Sequence, residues 1–166
     1  AMSETLLKAG ANVIVWSRSD SSLAQVRPKL MQHADKPDRI YTCRVDTADE
    51  KAVAEALARS QNELGTADIL INAVGGNMGK TDFIDTDLDR FAQIIECNLM
   101  AGLMVPTKVV AADWIKNKIN GSIINLASMA SYNPLSGVWA YDASKAAVLN
   151  LTRATANEFA VHGIRV

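Results

Sequence analysis

Short apolar stretches alternate with longer amphipathic stretches along the whole chain. Residues 12–16, 40–45, 68–72 and 122–126 consist largely of apolar side chains, which is typical of strands buried in a parallel sheet, and a fifth stretch begins at 163–166. Helical patterns are predicted between them, over 1–9, 23–33, 50–64, 88–116 (with an irregularity at Pro106) and 141–161. This alternation predicts βαβ units and a doubly wound parallel sheet, a Rossmann-like α/β fold, in one domain spanning 1–166.

Composition excludes several classes of function. Of the 166 residues 49% are apolar and 21% charged, a balance typical of soluble globular proteins. The formal net charge of −1 argues against nucleic acid as the main partner. No apolar run approaches the roughly 20 residues that span a bilayer, so no membrane contact is expected. Cys43 and Cys97 lie outside any His or Cys cluster, so no metal site is predicted, and we expect a cytoplasmic protein.

Polar residues directly after the apolar stretches are the candidates for ligand binding. Doubly wound sheets bind their ligands beyond the carboxyl ends of the strands. The residues in question are Ser17, Arg18, Asp46 and Thr47, then residues 72–76, and finally Ser128. Thr47 also begins a capping pattern that ends at residue 50, so helix capping is the alternative role for it and for Asp46.

The strongest chemical pattern is Tyr141 with Lys145, four residues apart and therefore on one face of a predicted helix. An ammonium beside a phenol favours the phenolate, so such a tyrosine can act as a general acid or base near neutral pH. By itself the pair is common on helix surfaces. Ser128 adds a hydroxyl that can hydrogen-bond the oxygen that Tyr141 protonates, and Asn98 is a further polar candidate. The alternatives are a capping serine and a water-binding asparagine.

As a set, these residues resemble the classical short-chain dehydrogenases/reductases. The matching motifs are 72–75 (Asn-Ala-Val-Gly), Asn98, the strand 123–127 leading to Ser128, and Tyr141-x-x-x-Lys145 thirteen residues after that serine. The resemblance implies that Tyr141 is the general acid or base and that Ser128 orients the reacting oxygen. It also implies that Lys145 holds the nicotinamide ribose and that Asn98 anchors a water in a proton relay.

The resemblance extends to cofactor contacts and to assembly. It implies contacts to the cofactor from Asn72, Ala73 and Gly75, although the family's usual second Asn is Ala73 here. It also implies that the two long helices pair between subunits, so a homodimer or homotetramer is expected. Asp46 is expected near the adenine.

The family has further segments on both sides of this sequence. Its Gly-rich phosphate turn and first strand precede the point where the sequence begins, and its substrate loop and last strand follow the point where it ends. The sequence is therefore expected to be a fragment that lacks a strand between 12–16 and 69–72. We expect these residues alone neither to fold stably nor to turn over substrate, because the neighbouring strands lose their backbone partners.

The expected reaction is hydride transfer between a nicotinamide and a carbonyl or secondary alcohol. The family's NAD-binding members carry an acidic residue at the position of Ser17, whereas Ser17 and Arg18 suit a 2′-phosphate. NADP(H) is therefore favoured, with NAD(H) as the alternative. Residues 72–78, 128–129 and 133–135 resemble members that act on sugar acids or polyols. The other hypotheses are a 3-oxoacyl-thioester reductase and a catalytically silent Rossmann protein that binds a nucleotide.

Overall fold

A computed structural model describes residues 2–166, so the predicted start of the first helix at Ala1 lies outside the described residues. Its strands are β1 (Val13–Ser17), β2 (Ile40–Arg44), β3 (Ile69–Asn72) and β4 (Ser122–Asn125). Its helices are α1 (Met2–Lys8), α2 (Asp20–Met31), α3 (Glu50–Leu64), α4 (Leu88–Ile95), α5 (Val105–Asn117) and α6 (Trp139–Phe159). A π-helical segment, Glu96–Met104, joins α4 to α5. The strands form two parallel pairs, β1 with β2 and β3 with β4, and the chain divides into two compact units.

The first unit contains residues up to 47 together with 51–67. Its parallel pair runs in register from Val13 opposite Ile40 to Ser17 opposite Arg44. Leu7 of α1 and Leu30 of α2 pack with Val13 and Ile40 in a buried cluster, which covers one face of this pair. The parallel strands and the helices that follow them agree with the predicted pattern.

Helix α2 differs from its prediction at its start. It begins at Asp20 rather than at Leu23, because the Ser19 side chain accepts a hydrogen bond from the Ser22 amide and caps the helix. The helix also continues through Pro28, which costs about 3 kcal/mol in a helix interior. Leu23 and Leu30 on either side of the proline are 7% and 2% exposed, and their burial holds both halves of the helix in place.

The second unit contains residues 48–50 and 68–166. Its strands pair from Ile69 opposite Ser122 to Asn72 opposite Asn125. The long helix predicted over 88–116 is present, but its irregularity is the π-helical segment and not Pro106 itself. Pro106 lies in the first turn of α5, a position at which a missing amide hydrogen costs little.

The predicted fifth strand is reduced to a single parallel bridge between Ser122 and Arg165. The amide of Ile123 donates to the carbonyl of Arg165, and the amide of Arg165 donates to that of Gly121. These two bonds dock residues 163–166 beside β4 without extending into a ladder.

The helix Leu88–Asn117 bears on the expectation that no apolar run is long enough to span a bilayer. By length and composition it could cross a membrane, with a mean hydropathy of 1.4 over its most apolar window. However, 56% of that window is buried inside the protein, and the buried polar side chains Asn98 and Thr107 lie within it. These features fit a core helix of the second unit.

Candidate active site

Helix α6 carries Tyr141 and Lys145 one turn apart, as the spacing predicts. The Lys145 ammonium lies 5.8 Å from the centre of the Tyr141 ring. Lys145 is only 7% exposed, and its Nζ donates to the carbonyl oxygen of Leu126 at 2.7 Å. A buried ammonium needs such an acceptor, because burial without one costs several kcal/mol. Leu126 directly follows β4, so the end of that strand holds the lysine in position beneath the phenol ring.

Asn98 lies in the π-helical segment and is 1% exposed. Its Oδ1 accepts from the Gly76 amide at 2.8 Å, and its Nδ2 donates to the Gly76 carbonyl at 3.1 Å. The same Nδ2 donates to Ser144 Oγ at 2.8 Å, and Ser144 donates in turn to the Tyr141 carbonyl. Asn98 therefore connects the loop after β3 to the helix that carries Tyr141. Its predicted role as a water anchor stays a prediction.

Two glycines allow this close packing of the loop after β3. A side chain at Gly75, which has φ +153°, would place its Cβ 2.9 Å from Asn98 Oδ1 and 3.6 Å from Lys145 Nζ. A Cβ at Gly102 would lie 2.5 Å from the carbonyl oxygen of Val74. The absence of side chains at these positions lets residues 74–76 lie against Asn98 and Lys145.

Ser128 is held by the short 3₁₀ turn Met129–Ser131 that follows it. Its Oγ accepts from the Ala130 amide at 3.1 Å, and its own amide donates to Ser131 Oγ at 3.3 Å. This reciprocal arrangement is a capping box. A hydroxyl that accepts one hydrogen bond can still donate its own hydrogen, so Ser128 can donate to a substrate oxygen. The alternative role predicted for it, a capping serine, is also fulfilled.

Asn72 at the end of β3 is 6% exposed and serves the interior. Its Nδ2 donates to Thr107 Oγ1 at 2.9 Å and to Asn125 Oδ1 at 2.8 Å. Asn125 continues the chain by donating to Thr152 Oγ1 of α6 at 2.9 Å. The side chain of Asn72 thus ties β3 to α5 and β4, while Ala73 and Gly75 beyond it are exposed. The cofactor contacts expected from all three stay predictions.

The remaining cofactor candidates lie in the first unit. Ser17 ends β1, and its Oγ accepts from the Ser19 amide at 3.2 Å, while Arg18 is exposed. Arg44, which is in register with Ser17, forms an exposed ion pair of 3.4 Å with Asp20.

Asp46 and Thr47 follow β2 within the same unit. Asp46 is exposed, whereas Thr47 is 6% exposed. An exposed carboxylate can contact a bound adenosine group, whereas Thr47 can do so through its backbone more readily than through its buried side chain. Their cofactor contacts stay predictions.

The phenol of Tyr41 is among the titratable groups of the first unit whose pKa is shifted. Tyr41 of β2 is half-buried, and burial raises the pKa of its phenol, with the neighbouring Cys43 thiol adding to the shift. Arg59 approaches the same thiol, with its Nη2 3.5 Å from Cys43 Sγ. The polar environment of Tyr41 therefore includes Cys43 on the same strand and Arg59 on α3.

Several contacts at the site were not predicted from the sequence. Ser131 donates from its Oγ to the Lys145 carbonyl at 2.7 Å, and Ser144 accepts from Asn98. Each hydroxyl lies three residues after a predicted site residue, a spacing that could have identified it. The contributions of Gly76 and Leu126 come from backbone atoms, which no side-chain pattern reveals.

Asp142, next to Tyr141, was also missed. It is 8% exposed, and its Oδ2 accepts from the Leu135 amide at 2.8 Å. Among the residues that the structure describes, its Oδ1 has no hydrogen-bond partner. The carboxylate lies in the first turn of α6, where negative charge is favourable, and it anchors the loop that precedes the helix.

Comparison with known proteins identifies the family. A family model described as short chain dehydrogenase matches residues 1–166. The chain belongs to this family. Its Rossmann-like α/β fold is confirmed by a short chain dehydrogenase from Bacillus anthracis, which superposes with a TM-score of 0.91 at 26% identity over 99% of this chain and 67% of that one.

Curated relatives of this short-chain dehydrogenase include a glucose 1-dehydrogenase of Gluconobacter oxydans, 32% identical over 95% of this chain and 58% of the relative. A 2-dehydro-3-deoxy-D-gluconate 5-dehydrogenase of Dickeya dadantii is 33% identical over 77% of this chain and 50% of the relative. The chain thus spans between half and three fifths of the length of these two relatives. Structural neighbours include complexes with NADP, NAD+ and NADH.

Proposed function

We propose that the full-length protein containing this chain transfers a hydride between NADP(H) and a carbonyl or secondary alcohol. The observation that carries this proposal is the buried Lys145 ammonium, anchored on the Leu126 carbonyl and 5.8 Å from the Tyr141 ring centre. A buried ammonium next to a half-exposed phenol suits proton transfer better than a tyrosine and a lysine that both lie exposed on a helix surface. Membership of the short-chain dehydrogenase family supports the same reaction class.

The side chains around Lys145 fit a nicotinamide cofactor. The ammonium has three hydrogens and gives one to Leu126, so it retains donors for the hydroxyls of a ribose. Gly75 places no side chain beside the ammonium, where a Cβ would lie 3.6 Å from Lys145 Nζ. The nicotinamide, when bound, supplies or accepts the hydride.

In the reducing direction the protein's contribution is to bind the carbonyl and to move one proton. Ser128 donates its hydroxyl hydrogen to the carbonyl oxygen and orients the substrate. As a C–H bond forms at the carbonyl carbon, the π electron pair moves to the oxygen, and Tyr141 gives its phenolic proton to that oxygen. The products are a secondary alcohol and the oxidised cofactor. In the oxidising direction Tyr141 takes the proton back.

The preference for NADP(H) rests on charge at the end of β1. No carboxylate stands at Ser17 to repel a 2′-phosphate, and the exposed Arg18 guanidinium can bind one in a bidentate manner. Arg44 adds a second positive charge opposite Ser17 and pairs with Asp20, which reduces the repulsion from that carboxylate. NAD(H) is the alternative cofactor.

For the substrate we propose a sugar acid or polyol. The curated relatives named for glucose and for 2-dehydro-3-deoxy-D-gluconate support this class. A 3-oxoacyl-thioester reductase is the second candidate, because a 3-hydroxyacyl-CoA dehydrogenase of Drosophila melanogaster is 30% identical over 100% of this chain. Both candidate reactions use the same proton-transfer groups, so only activity assays with both kinds of substrate distinguish them.

Self-association and a cytoplasmic location complete the proposal. Met100 and Met104 of the long helix are 40% and 39% exposed, and they leave apolar area available for a second subunit. We propose a homodimer or homotetramer on this basis.

The experiment uses the full-length protein with NADPH and with NADH. Nicotinamide absorbance is followed against keto-sugar acids, ketoses and 3-oxoacyl thioesters. Tyr141→Phe should lower kcat by about 10²- to 10⁴-fold, because it removes the transferred proton without changing the ring. Tyr41→Phe, the same substitution in β2, is the matched control and should leave kcat unchanged.

Turnover that survives Tyr141→Phe would contradict the assigned proton-transfer role. Cofactor binding without turnover of any substrate in the panel would favour a silent nucleotide-binding protein.

A further inference from the structure

The Ser131 hydroxyl links two of the proposed catalytic groups through their backbones. Its Oγ accepts a hydrogen bond from the Ser128 amide at 3.3 Å and donates one to the Lys145 carbonyl at 2.7 Å. The Ser131 hydroxyl therefore connects Ser128 with the turn of α6 that carries Tyr141 and Lys145. No other hydrogen bond that the structure describes joins Ser128 to α6 so directly.

The bonds around Ser128 leave little freedom for its side chain. The Ser131 amide donates to the Ser128 carbonyl at 3.0 Å, and the Ala130 amide donates to Ser128 Oγ at 3.1 Å. The Ser128 amide, carbonyl and hydroxyl are thus all engaged by the turn that follows. Ser131 is the only member of this turn that also binds α6 by a described hydrogen bond, so it transmits the position of the helix to Ser128.

We propose that Ser131 is a positioning residue, which sets the distance between the Ser128 hydroxyl and the proton-transfer group Tyr141. The inference rests on the proposed function, because it concerns the same reaction. An alanine at this position would leave the part-buried Ser128 amide without its acceptor and the turn without its bond to α6. Misplacement of a reacting group by about 1 Å can lower a rate by about 100-fold.

The test compares Ser131→Ala with Ser131→Thr in the full-length protein. The threonine keeps the hydroxyl and should restore most of the activity. Ser131→Ala should lower kcat by about 10-fold and leave the KM for the cofactor unchanged, since only the orientation of the reacting oxygen changes. In a Ser128→Ala background the same substitution should lower kcat by less than about 2-fold, because Ser131 acts through Ser128.

A second measurement reports the hydrogen bond itself. Hydrogen exchange at the Ser128 amide should accelerate in Ser131→Ala and stay slow in Ser131→Thr. The inference is overturned if exchange is unchanged, if kcat is unchanged, or if the loss of kcat is equally large in the Ser128→Ala background. A wild-type protein without any turnover would instead overturn the proposed function, while the exchange rates would still report whether Ser131 holds Ser128.

Discussion

Gly102→Ala is the substitution that probes most directly how the loop after β3 is held against the long helix. Gly102 is buried in the π-helical segment. An added Cβ would lie 2.5 Å from the Val74 carbonyl oxygen and 3.1 Å from that of Cys97. Both obstacles are backbone atoms, so neither can rotate away. The loop must therefore move away from the helix.

Three contributions make up the expected change in the free energy of unfolding. Overpacking of a tightly packed site costs about 1–3 kcal/mol. Movement of Val74 also strains the two hydrogen bonds between Gly76 and Asn98, each worth about 1 kcal/mol. Alanine regains about 1 kcal/mol over glycine in a helix. The sum is a net destabilisation of about 3 kcal/mol.

The assay is equilibrium unfolding of the full-length protein in urea. At a slope of about 2 kcal/mol/M, the midpoint should fall by about 1.5 M. Gly76→Ala is the matched control for stability, because a Cβ at Gly76 meets nothing within 4 Å and this substitution should change the midpoint little. The reasoning is refuted if Gly102→Ala unfolds at the same urea concentration as Gly76→Ala.

Two further predictions concern the first unit. Arg18→Glu should raise the KM for NADPH relative to that for NADH by about 10-fold or more, because it removes the guanidinium proposed to bind the 2′-phosphate. The control Arg27→Glu on α2 should not change this ratio. Equal changes in KM for both cofactors would contradict binding of the 2′-phosphate by Arg18. Because burial raises the pKa of Tyr41, the neutral phenol is favoured in the folded state. The contribution of the neutral phenol to stability is fully present below the unfolded pKa of about 10 and declines as the pH rises above that value. The difference in unfolding free energy between wild type and Tyr41→Phe should therefore shrink above about pH 10. A difference that stays constant with pH would contradict the raised pKa.

The sequence by itself determined the order of the elements and the candidate chemical groups. Continuous apolar stretches and helical periodicity predicted the four strands and the long helices, because strands and helices each leave a local pattern in the sequence. The spacing of Tyr141 and Lys145 predicted one helix face, and α6 places them there. These features depend on residues close together in sequence, which is why the sequence reveals them.

The tertiary structure decided what depends on backbone atoms and on distant contacts. The Leu126 carbonyl that holds Lys145 and the Gly76 peptide that binds Asn98 are backbone groups, which every residue type carries. Pro28 within α2 and the π-helical segment upstream of Pro106 reflect packing that outweighs local preference. Ser131 and Lys145 lie fourteen positions apart in the sequence, and only folding brings the Ser131 hydroxyl to the Lys145 carbonyl.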